Sequence, residues 1–177
     1  AGATNMWPKV VRVGDDDSLN GASRNGPPLA PSRFFSEMGA KVFTRPQDRD
    51  LLLSDYRKTI THGFSGMRAL DFSRRAWNDV DMTMLAETLK EVECPHVVRL
   101  SLSANDMSAK GLEALGHAVA SGAIHSLSFL DLSDCSAVRT IPETLCALKQ
   151  LDTLRLDGCL GLSALPAAIT EGKMGAL

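Results

Sequence analysis

The sequence predicts an α/β protein: a solenoid of about four coils with a short parallel sheet, preceded by a helical cap and an extended arm. The main observation is an apolar pattern, L-x-x-L-x-L-x-x-(N/C), that recurs four times. Its copies begin at Met67, Val97, Leu127 and Leu151, which lie 30, 30 and 24 residues apart. One pattern repeated at a nearly fixed period is typical of stacked-coil proteins. The second observation concerns the segments between the copies: their apolar residues follow helical spacing in the first two and a tight-turn pattern in the third.

Each copy opens with a short strand. Strand alternation directs Leu100 into the interior and places Arg99 and Ser101 on the outer face. One coil cannot bury its own apolar side, so it requires a neighbour on which to stack. Parallel strands stack about 4.8 Å apart. We therefore expect Leu100, Leu130 and Leu154 to form one inward-facing column.

The last position of the pattern predicts how the chain turns after each strand. Asn105 is expected to hydrogen-bond the backbone of the bend, and Cys135 and Cys159 occupy the equivalent position. Lying one period apart, these cysteines are expected on adjacent coils, either as packed thiols in the same turn or as a redox or thiophilic-metal pair. The four cysteines show no C-x-x-C and no metal-ligand spacing, which favours reduced thiols.

The segments that return the chain predict two helices followed by a tighter return. We expect Asp81 to cap the first helix, Ser108 to cap the second and Gly122 to end it. The third return is shorter, and Ile141-Pro142 within it favours a tight turn. The apolar positions at helical spacing are Met82, Leu85, Ala86 and Leu89 in the first return and Leu112, Leu115, Gly116 and Val119 in the second.

This combination of strand pattern and returns resembles leucine-rich repeat proteins. The resemblance covers somewhat more than half of the chain and assigns residues 67–177 to a repeat domain. It implies an array that mixes two subtypes, with helical repeats first and short L-P repeats later.

Residues 31–66 are predicted to cap the first coil, which would otherwise expose its apolar core. We expect a short helix that Ser32 caps and Gly39 ends, a short strand over 40–44, and a second helix that opens at Pro46. That second helix is expected to give way to a turn between Thr61 and Gly66.

Residues 1–30 contain scattered glycine and proline and an acidic run, and they do not predict a packed element. Two interpretations remain open: a solvated tail, or an arm that becomes ordered along a partner. Trp7 favours the arm and is a candidate contact, because tryptophan is enriched at binding hot spots.

The segment from Asn25 to Phe43 carries a second resemblance. Its order of Gly26-Pro27, Phe34-Phe35, Gly39-Ala40 and Val42-Phe43 is similar to the region before the repeats in the coupling factor B (subunit s) family of mitochondrial ATP synthase. It is equally similar to assembly proteins of the distal membrane arm of respiratory complex I. The resemblance implies a helix followed by a short β run, and attachment to such a complex. The last two repeats depart from those relatives, whose coils are less regular.

Composition narrows the classes of function. Hydrophobic content of 44%, charged content of 23% and a formal charge of −2 give no reason to invoke nucleic acid or an anionic membrane. No apolar run approaches the roughly 18 residues of a membrane helix. We find no catalytic arrangement, no P-loop, and no third ligand for the scattered histidines. We therefore predict no enzyme activity, cofactor, metal or small-molecule substrate.

The outer face of the sheet supplies the binding candidates. Phe129 with Arg99 beside it is typical of an interface anchor, and Asp131 is expected to lie near enough to pair with Arg155. A solvated face with local ion pairs is the alternative.

The far end of the array predicts a second contact. No fifth copy of the pattern follows residue 169, so Met174 and Leu177 are expected either to fold back as a lid or to help contact a partner.

Together these features predict a non-catalytic protein-binding subunit or assembly factor of a mitochondrial energy-transducing complex, either ATP synthase or respiratory complex I. The second resemblance, and an N-terminal Ala1 of the kind that removal of a targeting peptide leaves, favour the matrix or the inner membrane surface. A cytosolic adaptor of the ubiquitin-ligase or signalling type and an accessory subunit of a plastid complex are the alternatives.

Overall fold

A computed structural model describes residues 26–167. This part of the chain is α/β, with four α-helices and a short four-stranded parallel sheet. In chain order the elements are α1 (Pro31–Gly39), α2 (Pro46–Ser65), β1 (Ala69–Asp71), α3 (Asp79–Val92), β2 (Arg99–Ser101), α4 (Ala109–Ala120), β3 (Phe129–Asp131), a 3-10 helix (Glu143–Ala147) and β4 (Thr153–Arg155).

The sheet keeps the strands in sequence order, β1-β2-β3-β4, and every pair is parallel. Leu70, Leu100, Leu130 and Leu154 are partners in successive pairs, so the predicted leucine column is confirmed. Leu100 and Leu130 are 0% exposed, because a strand and a return segment cover them on both sides. Leu154, in the last strand, is only partly buried.

The caps of α3 and α4 show how local sequence sets the start of each helix. The prediction of Asp81 as the cap of α3 is wrong. Asn78 is the N-cap: its side chain accepts from Val80 N at 2.8 Å, and Asp81 accepts from Asn78 N at 2.9 Å. This reciprocal pair satisfies backbone N–H groups that the first helical turn leaves unpaired. Ser108 caps α4 as predicted, accepting from Lys110 N at 3.2 Å.

The return after β3 is the tight 3-10 helix that Ile141-Pro142 predicted. It packs closely against α4 at Gly116, where a Cβ atom would collide with the Thr144 side chain. Because Gly116 has no side chain, the five-residue 3-10 helix can approach α4 closely enough to bury Leu145 and Leu148 in the common core.

Helix α1 is held on α3 by polar contacts and on α2 by an aromatic pair. Ser32 does not cap α1; its N–H donates to Glu91 Oε2 at 2.9 Å, and its hydroxyl donates to the same carboxylate. Phe34 stacks on Tyr56 with ring centroids 3.8 Å apart. The Tyr56 hydroxyl donates to Leu29 O at 2.7 Å, and burial raises the pKa of Tyr56 to about 12, which keeps it a donor.

Two further predictions for this segment are wrong. Residues 40–44 form no strand, and Val42 is 99% exposed, because no neighbouring strand is available to pair with so short an alternating run. Helix α2 opens at Pro46 as predicted but continues to Ser65 instead of turning earlier. Burial of Ile60 and Phe64 outweighs the low helix propensity of the intervening glycine.

Candidate binding surface on the parallel sheet

The turns that support the sheet face are fixed by Asn105, which is 2% exposed. Its Oδ1 accepts from Arg75 N at 3.1 Å and Trp77 N at 3.0 Å. Its Nδ2 donates to Phe72 O at 3.0 Å and Leu102 O at 2.8 Å. The predicted hydrogen bonding of the bend is confirmed, and it reaches further than expected, because one amide joins the turn after β1 to the turn after β2.

Cys135 and Cys159 occupy the equivalent turns as free thiols. Cys135 Sγ donates to Leu102 O at 3.4 Å, and Cys159 Sγ donates to Leu132 O at 3.0 Å. Burial raises the pKa of Cys135 to about 11 and also raises the pKa of Cys159. Reactive thiols are those with lowered pKa values, so this geometry favours packed thiols over a redox pair.

Arg99 and Phe129 form a direct contact on the solvent side of the sheet. The two are register partners in β2 and β3, and the Arg99 guanidinium carbon lies 4.0 Å from the centre of the Phe129 ring. The register neighbours on the outer strands are the smaller Ala69 and Thr153, so the pair stands above its surroundings. A guanidinium stacked on an aromatic ring keeps its N–H groups available at the ring edge.

Two aspartates on the same face, the last residues of β1 and β3, are each bound by a serine two residues further along the chain. Asp71 accepts from Ser73 N at 2.9 Å and Ser73 Oγ at 2.6 Å, and Asp131 makes the same two bonds to Ser133 at 3.0 and 2.6 Å. The Ser73 hydrogen bonds lower the pKa of Asp71. The Asp71 carboxylate therefore stays ionised, and the serine bonds hold both carboxylates in place at the edge of the turns.

The predicted pair between Asp131 and Arg155 does not form. Arg155 instead binds Asp157, through Nε at 3.0 Å and the terminal nitrogen at 2.9 Å. Asp157 lies in the turn directly after β4, only two residues from Arg155, so it competes directly for the guanidinium, and the Ser133 bonds hold Asp131 in place. The remaining predicted contacts, Trp7, Met174 and Leu177, lie outside the described residues.

Asp79, which the sequence did not predict as a functional residue, joins the start of α3 to the start of α4. Its Oδ1 accepts from Ser108 N at 2.7 Å and Gly111 N at 3.0 Å, and its Oδ2 accepts from Ser108 Oγ at 2.7 Å. Burial raises the pKa of Asp79, but these hydrogen bonds outweigh it and hold the pKa below its usual value. An acidic residue in the first turn of α3 was the available signal, and it does not reveal a partner 29 residues away.

Within residues 26–167, no three His, Cys, Asp or Glu side chains are placed to bind a metal ion. None of the helices in that range has the length and apolar character needed to cross a bilayer. Comparison with models of known protein families and with curated proteins found no significant match.

Proposed function

We propose that this chain is a leucine-rich repeat solenoid of about four coils that binds other proteins through the outer face of its sheet and catalyses no reaction. We assign it as a subunit or assembly factor of a mitochondrial energy-transducing complex, either ATP synthase or respiratory complex I. The observation that carries the binding role is the stacked Arg99–Phe129 pair.

The solenoid assignment is supported by the agreement between the sequence period of the repeats and the pairing register of the strands. Copies that begin 30, 30 and 24 residues apart place Leu100, Leu130 and Leu154 in one column despite the change in spacing. A shorter return with the same strand pairing is expected when each unit stacks only on its neighbours.

The Arg99–Phe129 pair has the properties of an interface anchor. Arginine and aromatic residues dominate binding hot spots. The ring holds the guanidinium in place before binding, which reduces the conformational entropy that binding would otherwise cost. Among residues 26–167, no carboxylate lies within ion-pair distance of Arg99, whereas Arg155 is already paired with Asp157. Arg99 is therefore available to a partner's carboxylate or carbonyl groups.

The assignment to mitochondria rests on the resemblance over Asn25–Phe43. Its helical part is supported by α1, in which Phe34 contacts Tyr56 of α2. Its β part is not, since Val42 and Phe43 lie outside any strand. A cytosolic ubiquitin-ligase or signalling adaptor and a plastid accessory subunit share the same binding face, so fractionation has to separate them.

The test is capture of partners from solubilised mitochondrial membranes with the tagged full chain, followed by native electrophoresis. We expect co-migration with ATP synthase or complex I. The Arg99→Ser/Phe129→Ser double variant should reduce capture at least tenfold, which corresponds to about 1.4 kcal/mol. Val80→Ser, at a 64% exposed position on α3, is the matched control and should capture normally. Equal capture by the double variant would contradict the binding face, and recovery as a cytosolic monomer would contradict the mitochondrial role.

A further inference from the structure

The backbone hydrogen bonds between strands follow one rule along the sheet. From the second strand to the third, Leu102 N donates to Asp131 O and Ala104 N donates to Ser133 O, both at 2.8 Å. In the opposite direction Ser128 N and Phe129 N donate to Val98 O at 3.0 Å. The same bonds recur between the first and second strands, where Phe72 N and Arg74 N are the donors and Arg68 O is the acceptor. They recur again between the third and fourth strands, where Leu132 N and Asp134 N are the donors and Ser128 O is the acceptor.

The same arrangement at the free edge of β4 identifies three backbone groups that would bond to a fifth strand. Leu156 N and Gly158 N correspond to the two donors, and Asp152 O corresponds to the acceptor. Within the described part of the chain these three groups have no hydrogen-bond partner. An acceptor followed by two donors at this spacing repeats the arrangement that pairs each strand of this sheet with its parallel neighbour, so a strand added in the same direction would continue the ladder.

The apolar core is incomplete at the same end. Leu154 and Leu156 are only partly buried, although Leu130, the register partner of Leu154, is 0% exposed. Leu160, in the turn that follows, is 93% exposed. A strand added beside β4 would cover the first two leucines if it carried apolar side chains at the matching alternate positions.

The charges beside β4 define a further property of the added strand. Asp157 binds the guanidinium of Arg155, and the carboxylates of Asp131 and Asp134 also act on its charge. The hydrogen bond to Asp157, followed by the charges of Asp131, Asp157 and Asp134, raises the pKa of Arg155. This end of the face therefore carries an excess of negative charge that a basic side chain beside Asp157 would offset.

We propose that the edge of β4 accepts a parallel strand from a partner protein, with apolar residues beside Leu154 and Leu156 and a lysine or arginine beside Asp157. This strand addition rests on the proposed protein-binding function and specifies a second contact for it. Main-chain hydrogen bonds to Leu156, Gly158 and Asp152 provide affinity, and the leucine and aspartate positions select the sequence.

The test uses the full chain and an acetylated, amidated synthetic peptide, L-K-T-L-D-L-K-N, designed to align with residues 151–158. Proton–nitrogen correlation spectra should show the amides of Leu156 and Gly158 shifting on titration, and their hydrogen exchange should slow at least tenfold. Methylating the two peptide nitrogens that align with residues 152 and 153 removes the donors to Asp152 O and should weaken binding at least tenfold. Methylating the nitrogen that aligns with residue 156, which faces away, is the matched control.

Charge is tested separately with Asp157→Lys, which should weaken binding of the same peptide severalfold, whereas Asp106→Lys on an exposed turn of the second unit should not. The proposal is overturned if Leu156 and Gly158 do not respond, or if both methylated peptides bind equally. The proposal is also overturned if those amides are already protected from hydrogen exchange in the free chain. Protection that rises with protein concentration would indicate a second copy, and protection that does not would indicate residues beyond 167. Failure here would leave capture through Arg99 and Phe129 intact, so the two proposals fail independently.

Discussion

The turn after β2 and the turn after β3 occupy equivalent positions but are held together by different chemistry. Asn105 makes four hydrogen bonds to backbone groups of two successive turns, whereas Cys135 makes one long bond to Leu102 O. The return after β2 is the helix α4, and the return after β3 is a short 3-10 helix. The first half of the sheet is therefore specified by directional polar contacts, and the second half by burial and the strand ladder.

The largest expected effect separates these two turns. Asn105→Ala would remove four hydrogen bonds from backbone groups of two turns, while Leu102 O keeps its bond from Cys135 Sγ, and each buried group left unsatisfied costs about 1–3 kcal/mol. We expect a loss of about 3 kcal/mol or more in the free energy of unfolding, measured by urea denaturation. Cys135→Ala, the matched change, removes one weak bond and a small buried volume and should cost about 1 kcal/mol. Equal losses would contradict the contrast between the halves.

A smaller effect is expected at Asp79, which joins α3 to α4 in the first half. Asp79→Ala removes three hydrogen bonds from Ser108 and Gly111 and should cost about 2 kcal/mol near neutral pH. Because the folded pKa of Asp79 lies below its unfolded value of about 3.9, its contribution is complete above that pH and is lost as the pH falls through the folded pKa.

The corresponding measurement compares the unfolding free energies of wild type and Asp79→Ala at pH 7 and at successively lower pH. The difference between them should persist down to about pH 4 and shrink below it. Asp106→Ala, an exposed position, is the control and should show no such trend. A difference that is the same at every pH would mean that the carboxylate charge of Asp79 contributes nothing.

The strand register was predictable because inward leucines at every second residue exclude any one-residue shift. Such a shift would turn Leu100 and Leu130 to solvent, and the equal position of the pattern in each copy favours the alignment that is found. The cap at Ser108 and the tight return at Ile141-Pro142 were predictable for a similar reason, since each depends on residues close in sequence.

Other features were not predictable because two or more residues compete for the same contact, and the sequence alone does not show which one makes it. Asp81 and Asn78 are both good caps, and the reciprocal bond between them decides that the helix begins earlier. Arg155 had two carboxylates available, Asp131 on the neighbouring strand and Asp157 in the turn after its own strand, and the one nearer in sequence binds it. The alternating run over 40–44 lacked a strand to pair with, which only the three-dimensional arrangement reveals.

We propose that a partner covers the sheet face and leaves the helical side of the protein open. Hydroxyl-radical footprinting of the captured complex, compared with the isolated chain, measures this side chain by side chain. We predict that labelling of Phe129 falls at least fivefold in the complex, an effect of the burial expected of an anchor residue, while labelling of Val80 on α3 is unchanged. Unchanged labelling of Phe129 together with protection of Val80 would contradict binding through the sheet face.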